Sequence, residues 1–171
     1  QGTNNFTPVQ LANYIATLAN GGTRYKVHMV DKFIDASGQV VYESKPEILD
    51  QIQIKAENLE AIKQGMSLVT DEFGTASGSF ANFPIKTAGK TGSATYKEGG
   101  RQEAVGRTSY GLYVGFAPYD NPEIAVCIVI FDAGHGGYVS DVARAIYEAY
   151  FRDELKQIPG YQPKFDYTLN P

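Results

Sequence analysis

Residues 87–95 decide the fold, and they read Thr-Ala-Gly-Lys-Thr-Gly-Ser-Ala-Thr. The Gly-Lys-Thr at 89–91 matches the end of a phosphate-binding loop. Such a loop also requires a glycine where Pro84 stands and a helix directly after the threonine, where Gly92 follows. A strand fits better, because glycine in a strand lets another chain approach the backbone closely. We therefore predict a strand against which an extended substrate adds itself as a further strand.

The side chains of this strand suggest a site for a carboxylate. Lys90 offers a fixed positive charge. Thr91 and Ser93 are two residues apart, so their hydroxyls point to the same face of the strand. The backbone N–H of Ser93 is in addition a candidate donor to an oxyanion. By itself, however, Lys-Thr-Gly fits a simple turn at a strand end equally well, so the flanking segments have to decide.

The segments before this strand predict two helices and a small hairpin. Thr7 and Gln10 form a capping box at the start of a helix that ends at residues 20–22, Asn-Gly-Gly. Stretches 25–34 and 39–43 read as strands around the turn at 35–38, and 45–50 reads as a linker. A second helix is predicted over 56–69, followed by a loop rich in glycine, serine and alanine at 71–83.

The segments from residue 85 onward predict a sheet and a last helix. Strands are expected over 85–96, 110–116 and 124–131, with a strong turn signal at 117–122. Ser140 is expected to cap a helix whose apolar residues recur at helical spacing as far as Tyr150. Neighbouring strands joined by turns indicate an α+β fold, with an antiparallel sheet of about three strands flanked by helices.

Composition and charge exclude several classes of function. The chain has 171 residues, 43% of them hydrophobic, and a net charge of −4, which suits one globular domain and argues against a nucleic-acid partner. The longest apolar run is far shorter than the roughly 20 residues that span a bilayer, so any membrane anchor is expected outside this chain. Cys127 reads as a small buried hydrophobe, and His28 and His135 are too isolated for a metal site. We expect neither metal nor cofactor.

Four blocks together resemble a known family. Residues 87–95 resemble the third motif of penicillin-binding proteins. Residues 7–22 resemble the helix upstream of that motif, 114–126 resemble its next strand pair, and 134–150 resemble its glycine-rich loop and final helix. The resemblance covers roughly 1–155 in the right order, leaves 156–171 as a tail, and is closest to the monofunctional class B group. It implies that 1–171 is the C-terminal portion of a penicillin-binding/serine β-lactamase-like fold.

The resemblance also implies a reaction and roles for individual residues. In this family a serine attacks the D-Ala-D-Ala carbonyl of a peptidoglycan stem peptide, D-alanine leaves, and an amine from a neighbouring stem resolves the acyl-enzyme. β-Lactams mimic that substrate. By the resemblance, Lys90 supports proton transfer and the substrate carboxylate, Thr91 and Ser93 bind the carboxylate, Gly92 belongs to the substrate-binding strand, and the Ser93 N–H supplies half of the oxyanion hole. The parent protein is expected at the extracytoplasmic face of the bacterial membrane.

Two family motifs do not occur in this chain. A transpeptidase requires a Ser-x-x-Lys motif, whose serine is acylated, and a Ser-x-Asn motif. No serine here has lysine three residues later, and Ser79-Phe80-Ala81-Asn82 is one residue too long for the second motif. The chain by itself is therefore predicted to be inactive. The alternatives are a β-lactam-sensing receptor domain and a noncatalytic module of the same fold.

The missing part of the domain also predicts a partner. In this family the central sheet has five strands, and the first two precede the Ser-x-x-Lys helix. Residues 124–131 are apolar on both faces, as expected for a central strand. Without its neighbour this strand would present a hydrophobic edge. We therefore expect pairing with the N-terminal part of the same domain or self-association. His135 is a formal candidate base, but a solvated loop residue is the preferred interpretation.

Overall fold

The computed structural model describes residues 4–96, 99–101, 103–133 and 136–165. Its core is a three-stranded antiparallel sheet with helices on both faces, as predicted. In chain order the elements are α1 (Pro8–Ala19), β1 (Thr23–Tyr25), β2 (Lys32–Ile34), β3 (Val40–Glu43), β4 (Ile48–Gln51), α2 (Ala56–Ser67), α3 (Ser77–Phe80), β5 (Ala88–Thr95), a short 3₁₀ turn (Glu103–Val105), β6 (Ser109–Ala117), β7 (Ile124–Phe131), α4 (Gly136–Tyr150) and α5 (Arg152–Leu155).

The main sheet has the order β5-β6-β7, with both pairs antiparallel. Gly92 of β5 lies opposite Leu112 of β6, which lies opposite Val129 of β7. All eight residues of β5 and all eight of β7 have a partner in β6. The strand predicted from Lys-Thr-Gly therefore lies at one edge of this sheet, and β6 is the strand between the two edges.

Side chains alternate between two apolar layers because successive residues of a strand point to opposite faces. On one face, Tyr113 and Ala117 are buried against α3 and α4. On the other face, Val114 and Phe116 are buried against α1 and α2. The layer against α3 and α4 also contains Phe80, Val126, Val139 and Tyr147. The layer against α1 and α2 also contains Ile15, Leu18, Met66 and Ala88. Helices thus pack against both faces of the sheet, and β5 is an edge strand of that sheet.

The start and end of α1 follow the sequence signals. Gln10 N–H donates to Thr7 Oγ1 over 3.3 Å, and Thr7 N–H donates to Gln10 Oε1 over 2.8 Å, so the capping box is present. Gly21 and Gly22 follow with positive φ angles of 90° and 113°. A Cβ on Gly22 would lie 2.3 Å from the carbonyl oxygen of Ile52. Glycine is therefore required here both by conformation and by the close approach of another segment.

The prediction of a linker at 45–50 is wrong. Residues Ile48–Gln51 form β4, which pairs antiparallel with β1 so that Thr23 lies opposite Gln51. The predicted hairpin is confirmed, but its paired part is limited to β2 and β3. Local patterns favour neighbouring segments, and they carried no sign that β4 would reach back across the hairpin to β1.

Two further helix boundaries differ from the sequence predictions. Helix α4 begins at Gly136, so Ser140 is not its cap but a buried residue of its second turn. The Ser140 hydroxyl is hydrogen-bonded to Ser79 Oγ over 2.7 Å and also contacts the Gly137 carbonyl. The loop predicted at 71–83 contains the short helix α3, and α2 ends at Ser67. A serine hydroxyl caps helices and joins buried elements equally well, and only the packed structure distinguishes these roles.

Strand β7 pairs with β6 along one edge, and its other edge faces away from β6. Asp132 N–H donates to the Ser109 carbonyl over 2.9 Å, which fixes the alternation of the antiparallel pair. The backbone groups of Ala125, Cys127 and Val129 therefore point away from β6. Among the described residues no strand pairs with this side. The expected pairing with an upstream segment or with a second copy remains a prediction.

The open edge of β7 predicts concentration-dependent association of the isolated chain. We expect light scattering after size-exclusion chromatography at micromolar concentration to give a molar mass above the 18.7 kDa of one chain. Val129→Pro removes an outward N–H without breaking the ladder to β6, so it should lower that mass. Val129→Thr, which keeps the N–H, is the matched control and should not lower it. A parent chain that runs as a monomer and melts cooperatively would contradict the prediction.

None of the helices in the described part of the chain is long and apolar enough to cross a membrane.

Candidate active site

The backbone groups of Thr91 and Ser93 point to the outer edge of β5, away from β6. Tyr96 N–H donates to the Thr108 carbonyl over 2.9 Å and continues the register of β5 with β6. Since bonded and non-bonded pairs alternate in an antiparallel ladder, Gly92 bonds to β6 while its two neighbours point outward. The Ser93 N–H therefore has the direction that an oxyanion donor at this edge needs. Its catalytic role remains a prediction.

The ammonium of Lys90 and the two hydroxyls lie on opposite faces of β5. Thr91 and Ser93 are on the face of α4, whereas Lys90 shares the other face with Ala88. The Lys90 side chain is exposed, and its Nζ donates to the outward carbonyl of Thr91 over 2.5 Å. The three groups predicted to bind a carboxylate thus converge around the outer edge of the strand and not on a single face.

The start of α4 lies directly against Ser93. Gly136 N–H donates to Ser93 Oγ over 2.8 Å. A Cβ on Gly136 would lie 2.2 Å from the Gly92 carbonyl oxygen, and one on Gly111 would lie 2.6 Å from Val139 Cγ2. These glycines let the helix approach the sheet closely. Because the Ser93 hydroxyl accepts from the helix, its own proton remains for donation to a ligand.

Thr75 is a site residue that the sequence analysis did not single out. Its Oγ1 lies 2.8 Å from Thr91 Oγ1, in a hydrogen bond across the α4 face of the site. The two residues are 16 positions apart, and Thr75 stood in a stretch that read only as a small-residue loop. No local pattern links such a loop to β5, so only the folded chain reveals the contact.

A buried tyrosine of β6 packs against the glycines of β5 and β6. Tyr113 lies opposite Thr91 and is fully buried. A Cβ on Gly89 would lie 2.2 Å from the Tyr113 hydroxyl oxygen, and one on Gly115 would lie 2.7 Å from it. Burial raises the pKa of the Tyr113 phenol and raises that of the neighbouring Tyr147 well above its ordinary value, so both are neutral at physiological pH. Gly89 and Gly115 therefore make room for the Tyr113 ring, and the approach of a substrate to the glycines of β5 remains a prediction.

The sequence analysis also considered His135, Cys127 and a metal site. His135 lies outside the described residues. Cys127 packs against the apolar layer of α1 and α2 but is only partly buried, less than the sequence predicted, and burial raises the pKa of its thiol. In the described part of the chain, no three His, Cys, Asp or Glu residues lie together in a way that could hold a metal ion.

Comparison with protein families and curated relatives shows what this chain is similar to. The model of the penicillin binding protein transpeptidase domain matches residues 1–151. Penicillin-binding protein 2A of Bacillus subtilis is 33% identical over 164 residues, which are 89% of this chain and 23% of that protein. The peptidoglycan D,D-transpeptidase MrdA of Haemophilus influenzae is 29% identical over 164 residues, with 91% of this chain and 25% of that protein covered. The chain thus spans about a quarter of the length of these relatives.

Solved structures show the same fold. Penicillin-binding protein 2B of Streptococcus pneumoniae superposes with a TM-score of 0.69 at 26% identity, over 92% of this chain and 26% of that one. Penicillin-binding protein 2 of Pseudomonas aeruginosa superposes with a TM-score of 0.71 at 31% identity, over 94% of this chain and 34% of that one. The class B resemblance seen in the sequence is thereby confirmed, and the chain belongs to the family of penicillin-binding protein transpeptidase domains.

Proposed function

We propose that this chain is the C-terminal part of a serine D,D-transpeptidase that crosslinks peptidoglycan stem peptides and is acylated by β-lactams. The observation that carries the proposal is the outer edge of β5. At this edge the Ser93 N–H points outward, beside the hydroxyls of Thr91 and Ser93 and the Lys90 ammonium. A family model that covers residues 1–151 supports the assignment.

The groups on β5 fit the two charges that the reaction has to accommodate. The C-terminal carboxylate of the stem peptide accepts from the Thr91 and Ser93 hydroxyls and lies near the Lys90 ammonium. The Ser93 N–H donates to the oxygen that becomes negative when the carbonyl is attacked. The peptide backbone lies along the open edge of β5 as an additional strand, and Gly92 adds no side chain in its path.

The nucleophile is supplied by a part of the domain outside residues 1–171. Its serine oxygen bonds to the penultimate D-Ala carbonyl carbon, the peptide bond breaks, and D-alanine leaves with a proton on its nitrogen. An amine from a neighbouring stem then attacks the ester, and the serine oxygen regains a proton. The second oxyanion donor is the N–H of that serine, as in the family pattern.

We place the parent protein at the extracytoplasmic face of a bacterial membrane, held by an anchor outside this chain. The MrdA relative is named a peptidoglycan D,D-transpeptidase, and crosslinking takes place where that polymer is assembled. A β-lactam-sensing receptor or a noncatalytic module of the same fold would be distinguished by its chemistry. Neither would release D-alanine from a stem peptide and transfer the acyl group to an amine.

Labelling with a fluorescent penicillin tests the division of the site between two parts of the domain. We expect the intact transpeptidase to gain one adduct by mass spectrometry, on a serine outside residues 1–171. The isolated chain should gain none, because no serine here stands in a Ser-x-x-Lys setting. A stoichiometric adduct on any serine of the isolated chain would overturn this division, and an unlabelled intact protein would overturn the proposed function.

A further inference from the structure

We propose that Thr75 is a positioning residue for substrate recognition: its hydroxyl orients the Thr91 hydroxyl so that Thr91 donates to a carboxylate. The proposal deepens the proposed function and rests on it, since Thr91 is there a ligand of the substrate carboxylate. It starts from the 2.8 Å contact between Thr75 Oγ1 and Thr91 Oγ1.

The backbone around Thr75 is held from several directions. The preceding Gly74 approaches the end of α2 so closely that a Cβ would lie 2.2 Å from the carbonyl oxygens of Leu68 and Val69. The following Ala76 is buried, and its N–H donates to the Val69 carbonyl over 2.9 Å. A Cβ on Gly137 would lie 2.8 Å from the Thr75 carbonyl oxygen. A residue held this tightly presents its side chain in a defined direction although the side chain itself is exposed.

The number of available protons decides which threonine donates in the Thr75–Thr91 hydrogen bond when a ligand is bound. Each threonine hydroxyl has one proton to donate, and a carboxylate only accepts. When Thr91 donates to a carboxylate, the proton in the Thr75–Thr91 contact has to come from Thr75. The resulting order is Thr75 O–H to Thr91 Oγ1, and Thr91 O–H to the ligand. Hydrogen bonds in such a chain polarise and strengthen one another.

Ser93 shows the same arrangement two residues further along β5. There the donor behind the hydroxyl is the backbone N–H of Gly136, 2.8 Å from Ser93 Oγ. The hydroxyls of Thr91 and Ser93 can therefore each accept a hydrogen bond from a protein donor, and each keeps its own proton to donate to the ligand. The Gly136 donor is a backbone group, so a side-chain substitution cannot remove it. The Thr75 hydroxyl can be removed by substitution, and the test therefore uses Thr75.

Substrate selectivity separates this role from a purely structural one. The proposed relay favours a group that only accepts hydrogen bonds, whereas a C-terminal amide also carries donors and has no charge. We compare release of D-alanine from an acyl-D-Ala-D-Ala peptide with release of D-alaninamide from its C-terminal amide, in the intact transpeptidase. Thr75→Val should lower kcat/KM for the acid about tenfold, the size of one hydrogen bond to a charged group, and change the value for the amide less than about twofold.

Two further variants and a control complete the test. Thr75→Ser restores a hydroxyl and should recover most of kcat/KM for the acid. In a Thr91→Val background, Thr75→Val should have almost no further effect, because the two act as one unit. Ser77→Ala removes a neighbouring hydroxyl for which the structure shows no hydrogen bond among the described residues, and it should leave the preference for acid over amide unchanged. Thermal melting of each variant checks that the fold is retained.

The outcomes separate this proposal from the function on which it rests. Equal losses for acid and amide, or additive losses of Thr75→Val and Thr91→Val, would overturn the positioning role while β-lactam acylation still supports the transpeptidase. A melting temperature lowered equally by Thr75→Val and Thr75→Ser, with activity lost in both, would also overturn it, since the hydroxyl would not then be the cause. Failure of the intact protein to acylate at all would instead contradict the proposed function.

Discussion

Replacing Lys90 with alanine in the intact transpeptidase is expected to slow acylation by a β-lactam about 10²–10³-fold, the effect of removing one preorganised electrostatic group from a reacting centre. The ammonium lies at the open edge of β5, where its Nζ donates to the Thr91 carbonyl. Because the side chain is exposed, the fold should not depend on it. Stopped-flow acylation rates and the melting temperature measure the two effects separately.

Lys86→Ala is the matched control for the charge of Lys90. The Lys86 ammonium lies 4.0 Å from the centre of the Tyr119 ring, in a cation–π contact away from the outer edge of β5. Lys86→Ala removes the same charge from the segment just before β5, but it should leave acylation near the parental rate. Thr91→Val should chiefly weaken recognition of the carboxylate. If Lys90→Ala acylated as fast as the parent, the assignment of the site to this edge of β5 would be wrong.

Replacing Arg144 with leucine is expected to lower the free energy of unfolding by about 3–5 kcal/mol, the cost of leaving a buried charge without its partner. Arg144 Nε and Glu148 Oε1 are 2.6 Å apart, and their side chains are 2% and 1% exposed. Arg144 also donates to the carbonyl oxygens of Ser79 and Ala81. Its loss therefore leaves a buried carboxylate without the guanidinium and removes donors from the segment around α3. Urea denaturation measures the effect.

The C-terminal segment takes part in the same buried group. Tyr161 O–H donates to Glu148 Oε1 over 2.6 Å, and Lys164 N–H donates to the same oxygen over 2.9 Å. Burial and the Glu148 carboxylate raise the pKa of Tyr161 to about 12, so the phenol keeps the proton that it donates. The described part of the predicted tail, as far as Phe165, is thus attached to α4 by contacts with its buried acid.

Two comparison variants separate the buried charge from general damage. Lys156→Leu breaks an ion pair with Asp153 at 3.4 Å in which both side chains are largely exposed, and it should change stability little. Arg144→Leu combined with Glu148→Leu removes both charges and should recover part of the stability lost in the single variant. A single variant as stable as the parent would contradict the assignment of this cost to the buried pair of Arg144 and Glu148.

How far the sequence predicts the site depends on the distance between the residues concerned. Lys90, Thr91, Gly92 and Ser93 are consecutive, so the alternation of a strand is enough to place the two hydroxyls on one face. The same alternation puts Lys90 on the opposite face, and only the fold shows its ammonium turning back to the Thr91 carbonyl at the edge. Thr75 and Gly136 reach this strand from 16 and 43 residues away, and nothing in their own neighbourhood indicates that contact.

The sequence by itself determined the elements whose cause is local. The capping box of α1, the paired strands β6 and β7 on either side of a turn, and the Lys-Thr-Gly strand each depend on residues only a few positions apart. Tertiary structure alone decided the pairing of β1 with β4, the start of α4 at Gly136 and the contact of Thr75 with Thr91. The physical reason is that these features depend on close approach between distant segments. Gly22, Gly74 and Gly136 permit that approach by having no side chain, and a glycine in a sequence does not say which segment it will meet.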